Sequence, residues 1–274
     1  MRIEWASEHI GALITDIDLA AINPVEWATL YHTWLDRHVL IVRGQDLSIA
    51  DFLAFGRRFG RVQPHPVIKS RHPEVPELTV MGLGARKDDG SVDPSIYNRG
   101  LGWHTDGPWD RNVCKATQLL GREIPSSGGD TLFANMHRAL DALPSPLAAR
   151  IAGLDALYVY GGKARTGIDL LPAAAQDRPP ARYPLIRTHG ETGRRTLYFN
   201  PYHILEIADV SPAESDELIA LLTEHMIAPN ADYRHAWQVG DLVTWDNRCT
   251  LHAATGGYPV NEPRIHWRCT IMAE

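Results

Sequence analysis

Arg264-Ile265-His266-Trp267-Arg268-Cys269-Thr270-Ile271 alternates without a break between two kinds of side chain. Successive side chains of a strand point to opposite faces, so Arg264, His266, Arg268 and Thr270 share one side and Ile265, Trp267, Cys269 and Ile271 the other. The second side is what a sheet packs into a core. The first is unusually basic for a strand. Two guanidinium groups at that spacing fit either a solvated rim or a pair of anion anchors, because guanidinium meets carboxylate in bidentate fashion.

Outward from this strand the chain continues in short extended stretches at 242–245, 195–200, 129–133 and 117–120, separated by turns rich in Gly, Pro, Asn and Asp. Many short strands of this kind predict a mainly β fold with helical insertions, a sandwich or jelly roll. Helical spacing appears in Trp27, Leu30, Tyr31 and Trp34, before a short buried strand at 38–42. A second helix over 48–59 opens on Ser48 with Asp51 three residues on, and stops at Gly60. Helices are also predicted over 136–152 and 211–226, the latter opened by the capping box Ser211-Pro212-Ala213-Glu214. Residues 82–102 read as a hairpin and an irregular approach to His104. Residues 164–182, polar and carrying Pro172, Pro179 and Pro180, read as a lid or surface insertion.

The 274 residues, 44% hydrophobic, suffice for one large domain spanning 1–274. A net charge of −6 without long runs of either sign gives no footing for nucleic acid or an anionic membrane. Glu4 and Glu8 interrupt any signal-like start, and runs such as Val39-Leu40-Ile41-Val42 are too short to span a bilayer, so a cytoplasmic protein is expected. Cys114, Cys249 and Cys269 lie far apart with no C-x-x-C pair and are expected as buried core residues.

Iron(II) enzymes that activate dioxygen commonly hold the metal with two imidazoles and one carboxylate, leaving positions open. His104-Thr105-Asp106 can supply two such ligands, since side chains at i and i+2 of a strand point the same way. Among thirteen histidines such a tripeptide also arises by chance. Gly102 and Gly107-Pro108 flank it, Trp103 and Trp109 bracket it, and a further histidine, His252, follows the strand at 242–245. The ordered series of His-x-Asp, a Gly-Gly-Asp-Thr turn at 128–131, a distant His and then R-x-x-x-R is far less accidental than any piece.

With these motifs in place, the sequence resembles the TauD/TfdA family of Fe(II)- and 2-oxoglutarate-dependent dioxygenases over nearly its whole length. The likeness rests on His38-Val39-Leu40-Ile41-Val42-Arg43-Gly44-Gln45, Phe55-Gly56-Arg57-Arg58-Phe59-Gly60, Trp103-His104-Thr105-Asp106 and Pro125-Ser126-Ser127-Gly128-Gly129-Asp130-Thr131. It continues in Gly240-Asp241, Trp245-Asp246-Asn247-Arg248, His252 and Arg264-x-x-x-Arg268. The resemblance implies a double-stranded β-helix, or jelly roll, with His104, Asp106 and His252 as iron ligands. It implies that Thr131 and Arg264 hold the distal carboxylate of 2-oxoglutarate. Arg268 and the backbone N–H of Gly107 would hold an anionic group of the substrate, with Lys69 as a further cationic contact and Tyr97 and Asn98 beside them.

The expected cofactors are Fe(II), 2-oxoglutarate as co-substrate and O2, with succinate and CO2 released. The carboxylate at position 106 favours hydroxylation over halogenation, and a hydroxylated carbon bearing a leaving group would go on to lose a C–O or C–S bond. The expected partner is a small anionic substrate: a carboxylate, sulfonate or sulfate. Trp103, Trp109, Tyr97 and Tyr160 suggest that the rest of it is apolar, aryloxyalkanoate-like. The stretch 96–102 lacks the polar residues with which the taurine enzyme holds its substrate amine, and the loop from His252 to Arg264 is about one residue longer, which speaks against taurine itself. Two other readings stay open: a cupin-type metal enzyme that does not use 2-oxoglutarate, and a non-catalytic jelly-roll binding module. Homo-oligomers are common for such enzymes.

Overall fold

The strand Ile265–Met272 lies in an eight-stranded sheet, between Cys114–Glu123 on one side and Arg61–Gln63 and Thr79–Met81 on the other. Beyond Cys114–Glu123 the order runs Leu242–Asp246, Val39–Val42, Ala12–Thr15 and Arg2–Trp5. Every pairing is antiparallel except that of Ala12–Thr15 with Val39–Val42. This is a computed structural model, and it describes residues 1–82, 91, 93–98, 100–227 and 232–273. Of the hairpin and irregular approach expected at 82–102, residues 83–90, 92 and 99 fall outside the described residues; within the rest, Pro94–Tyr97 is a single helical turn.

Val39–Val42 is buried along its whole length because both faces of the sheet are covered. Leu40 and Val42 face a core with Leu30, Trp34, Phe52 and Phe55, contributed by the helices Pro24–Arg37 and Ile49–Arg57. Val39 and Ile41 face the opposite layer with Phe133, Val243 and Trp245. That layer is closed by a second sheet of three antiparallel strands, in the order Tyr233–His235, Thr131–Asn135, Thr250–Ala254. The alternation of the opening octapeptide is kept: Cys269 and Ile271 enter the helix-side core with Trp267 packed against it, while Arg264, Arg268 and Thr270 line a cavity.

A second region packs around Tyr158, Leu185, Phe199, Leu218 and Leu222. It consists of the strands Ile204–Ile207, Asp155–Tyr158 and Ala181–Pro184, the hairpin Ile186–Thr188/Arg195–Leu197 and the helix Pro212–Ile227. Ser211 caps that helix as its sequence predicts, accepting from the Glu214 N–H at 3.2 Å. The single helix predicted over 136–152 is instead two, Met136–Asp141 and Ser145–Ile151. Pro144 and Pro146 explain the break, since proline has no N–H to continue the first helix but suits the first turn of the next. Residues 164–182 hold the 3-10 turn Ile168–Leu170 and the short helix Ala173–Gln176. Arg165 Nη2 donates to the Gln176 carbonyl (2.6 Å) and Gln176 Nε2 to that of Leu171 (2.8 Å), tying the segment to itself.

All three cysteines are free and buried. Among the described residues no helix is long and apolar enough to cross a membrane.

The first helix opens on a full capping box. Asn23 Oδ1 accepts from the N–H groups of Val25 (2.9 Å) and Glu26 (3.0 Å), and Glu26 Oε2 accepts from the Asn23 N–H at 3.1 Å. Replacing Asn23 by alanine should therefore lower unfolding stability by about 1 kcal/mol in urea titrations, with turnover unaltered.

Candidate active site

His104 and His252 are brought together by the backbone. The His104 N–H donates to the His252 carbonyl at 2.9 Å and the His252 N–H to that of His104 at 2.8 Å, an isolated antiparallel bridge. Their rings lie 4.2 Å apart. His104 contributes only this bridge, and Asp106 follows in a bend, so the i, i+2 pair is not set by a strand as its spacing predicts. A side-chain hub holds the bend instead. Asn247 Oδ1 accepts from the Asp106 N–H (3.1 Å) and from Trp245 Nε1 (3.0 Å). Asn247 Nδ2 donates to Thr117 Oγ1 (3.0 Å), and Thr117 in turn donates to Asp106 Oδ2 (2.6 Å). Asn200 Nδ2 fixes the Thr105 carbonyl from another side, at 2.8 Å.

Both imidazoles turn Nε2 to this carboxylate: His104 Nε2 lies 3.9 Å from Asp106 Oδ1 and His252 Nε2 3.7 Å from Oδ2. His104 Nδ1 sits 2.7 Å from the Gly102 carbonyl, which can only accept, so Nδ1 carries the proton and Nε2 the lone pair. Burial, then the neighbouring His104, pushes His252 down to about 3, leaving it neutral and equally able to donate a lone pair. Burial alone would raise the Asp106 carboxyl, but the Arg268 guanidinium, with the Thr117 hydroxyl, holds it well below the usual carboxylate range. The ligand atoms of His104, Asp106 and His252 lie within 4.8 Å of one another. Lone pairs and an anion converging on one point repel unless a cation fills it, so the donor set fits a divalent metal with open positions.

Two other groups have ligand-like composition, His38/His137/Cys249 and His189/Asp246/Cys249. Both are fully buried and line neither cavity described. The oxygens of Asp246 are already taken by Arg248 and His189.

His104, Asp106 and His252 open onto a cavity of about 1020 Å³ that Thr131, Arg264 and Arg268 also line. Arg264 is half-buried at the cavity wall, and desolvation there lowers its affinity for its proton. Its Nε donates to the Gly129 carbonyl at 2.8 Å, and no carboxylate of the described residues pairs with it. A Cβ at Gly129 would stand 2.8 Å from that Nε, so the Gly128-Gly129 turn is what lets the guanidinium lie against the backbone. Arg268 differs: its Nη2 lies 2.9 Å from Asp106 Oδ1.

Gly107, at φ +67°, and Asn98 line the same cavity. Tyr97 does not; its hydroxyl donates to the Tyr258 carbonyl (2.5 Å) at a small neighbouring pocket that touches Arg264. Lys69 is exposed on the turn Ile68–Ser70 and lines no cavity, which corrects its expected place; His65 and Arg71, on either side, reach the cavity instead. Trp103 packs into the second core, so the apolar wall comes from Trp109 and Tyr160, whose rings are 4.8 Å apart. Tyr202 and His203, not singled out by their sequence pattern, complete this wall. His203 Nδ1 accepts from the Gly161 N–H at 3.2 Å, and burial keeps the ring neutral.

The family described as "Taurine catabolism dioxygenase TauD, TfdA family" matches residues 3–270. The chain belongs to the TauD/TfdA family, and with it to the 2-oxoglutarate-dependent dioxygenases. It is 33% identical over 274 residues to an alpha-ketoglutarate-dependent 2,4-dichlorophenoxyacetate dioxygenase of Cupriavidus pinatubonensis, covering 96% of this chain and 94% of that one. It is 32% identical over 262 residues to pentalenolactone F synthase of Streptomyces arenae, covering 89% and 84%. Its structure superposes on that of AAD-2 in complex with Mn(II) and N-oxalylglycine with a TM-score of 0.82 and 26% identity, covering 100% of this chain and 98% of that one. The TauD/TfdA enzymes use Fe(II), 2-oxoglutarate and O2.

Thr117 is not one of the three candidate ligands, yet it holds the oxygen of Asp106 that faces His252. Thr117→Val should weaken Fe(II) binding by about tenfold in anaerobic calorimetry, and Thr117→Ser should restore it.

Proposed function

We propose that this TauD/TfdA enzyme hydroxylates a small organic anion, with Fe(II) held by His104, Asp106 and His252. In this reading Arg264 and Thr131 hold the distal carboxylate of 2-oxoglutarate, and the chain is one domain built on a double-stranded β-helix. The observation that carries it is Arg264: a half-buried, partly desolvated guanidinium with one edge fixed by a backbone carbonyl, no carboxylate partner among the described residues, and a place in the same cavity as the triad. A partly desolvated cation left unanswered is costly, so the cavity calls for an anion. Among nearby donors, Thr131 supplies a hydroxyl.

The substrate's own charge is supported by the rest of the lining. Arg61, Arg71, Arg178, Arg264 and Arg268 contribute five positive charges against three aspartates, Asp106, Asp110 and Asp169. One arginine serves the keto acid. Arg268 is balanced by Asp106, and a carboxylate, sulfonate or sulfate on the substrate can share that guanidinium while the Gly107 N–H lies on the same wall. The aromatic group Trp109, Tyr160, Tyr202 and His203 suits an apolar or aryl body, in keeping with relatives that act on phenoxyalkanoates.

Bound Fe(II), with 2-oxoglutarate and O2, supplies the oxidation: one oxygen atom enters a substrate C–H bond as hydroxyl, the other enters succinate, and CO2 leaves. The chain's own part is placement. Asp106 stays ionised at the pH of turnover because Arg268 and Thr117 surround it. Arg264, anchored at Gly129, keeps the keto acid in one orientation, and the aromatic wall keeps water from the reacting carbon.

Two measurements test this reading. Arg264→Ala should raise the KM for 2-oxoglutarate about thirtyfold, since a desolvated charge-assisted pair is worth on the order of 2 kcal/mol. An unchanged KM would return Arg264 to the scaffold. In succinate-release assays on matched aryloxyalkanoic acids and their amides, wild type should prefer the acids, and Arg268→Gln should lose most of that preference. Equal turnover of acids and amides by wild type would remove the anion from the substrate.

A further inference from the structure

Trp237 lies outside the cavity, in the segment that follows the strand Tyr233–His235, and it is buried. Its Nε1 is 3.0 Å from Thr131 Oγ1. An indole N–H can only donate, so in this bond the threonine hydroxyl is the acceptor. The hydroxyl must then direct its own proton elsewhere. Among the described residues no acceptor takes that proton, and Thr131 lines the cavity beside Arg264. A lone hydroxyl is ambiguous, equally ready to give or to take a hydrogen bond. With one of its two lone pairs engaged from behind, the hydroxyl has its orientation restricted, and toward a carboxylate, which can only accept, it gives its proton.

The indole is itself held in place. The rings of His235 and His266 stand nearly perpendicular to it, at 4.6 Å and 4.4 Å. Cα-only Gly121 leaves room at its edge, where a Cβ would come within 3.4 Å of Trp237 Cε3. His266 comes from the same strand as Arg268 and follows Arg264 by two residues.

We propose that Trp237 is a positioning residue for the keto acid: by donating to Thr131 it turns the threonine hydroxyl into a fixed donor toward the distal carboxylate of 2-oxoglutarate. The inference rests on the reading of Thr131 and Arg264 given above, and adds to it a residue that touches neither cofactor nor substrate.

The test is a double-mutant cycle read by calorimetry of 2-oxoglutarate binding to the anaerobic Fe(II)-loaded protein, so that no substrate is needed. Trp237→Phe keeps an aromatic ring and removes the N–H; it should weaken binding about fivefold, the order of one net hydrogen bond. Thr131→Val should weaken it at least as much. The double variant should bind no worse than Thr131→Val alone, because the indole acts only through that hydroxyl. In turnover assays Trp237→Phe should raise the KM for 2-oxoglutarate while leaving kcat at saturating keto acid unchanged. Where the phenylalanine variant folds poorly, Trp237 replaced by benzothienylalanine, with sulfur in place of the N–H, supplies the same comparison in the native shape. Unchanged affinity on losing the N–H, with Thr131→Val weakened, overturns this inference and leaves the keto-acid site standing. So does a fivefold loss that persists in the Thr131→Val background, which assigns Trp237 to packing. An unaffected Thr131→Val overturns the role of Thr131 and this inference together.

Discussion

Taking the Asp106 carboxylate out of water is the cost around which this structure is arranged. An unpaired buried anion would be neutralised or would unfold its surroundings. Here it is met by the Arg268 guanidinium and the Thr117 hydroxyl, drawn from two neighbouring strands. Neither group is adjacent in sequence to the segment carrying Asp106. The large sheet must therefore be in register before the site exists: Thr117 lies opposite both Trp245 and Thr270 in the neighbouring strands. Asn247, at the end of one of these strands, clasps the backbone of the bend itself.

Local patterns read well from the sequence because their causes are local. The alternation of residues 264–271, the caps at Ser48 and Ser211 and the helical spacing of Trp27, Leu30 and Trp34 all appear as the chain predicts. His104, Asp106 and His252 were legible as a ligand pattern, and they do converge. What spacing could not show is how Asp106 is held, since Thr117 and Asn247 are eleven and 141 residues away from it. The same limit separates Trp109 from Trp103: both flank the motif, but only tertiary packing sends one to the cavity and the other to a core. The helix expected over 136–152 is divided at Pro144 and Pro146, a local cause that the expectation of one helix left out.

The two arginines of the basic strand face are unlike in their surroundings, and the difference bears on what each can do. Arg264 is pinned by a main-chain oxygen that cannot move without the Gly128-Gly129 turn. It can serve only a ligand that always arrives in the same pose. Arg268 leans on Asp106, a group that a bound metal would also engage, so its hydrogen bonds can be redistributed as the site fills. On the proposed assignment, the fixed guanidinium would meet a constant co-substrate and the adaptable one a variable substrate.

The walls of the cavity divide along the same line. The residues proposed for the metal and the keto acid stand on or beside paired strands. Thr166, Leu170, Pro172 and Arg178, by contrast, belong to a segment tied mainly to itself through Arg165 and Gln176. Substitutions or length changes there alter the shape offered to a guest without disturbing the register of any sheet. A descendant of such a chain can be offered a different guest by editing this one segment while His104, Asp106 and His252 stay in place.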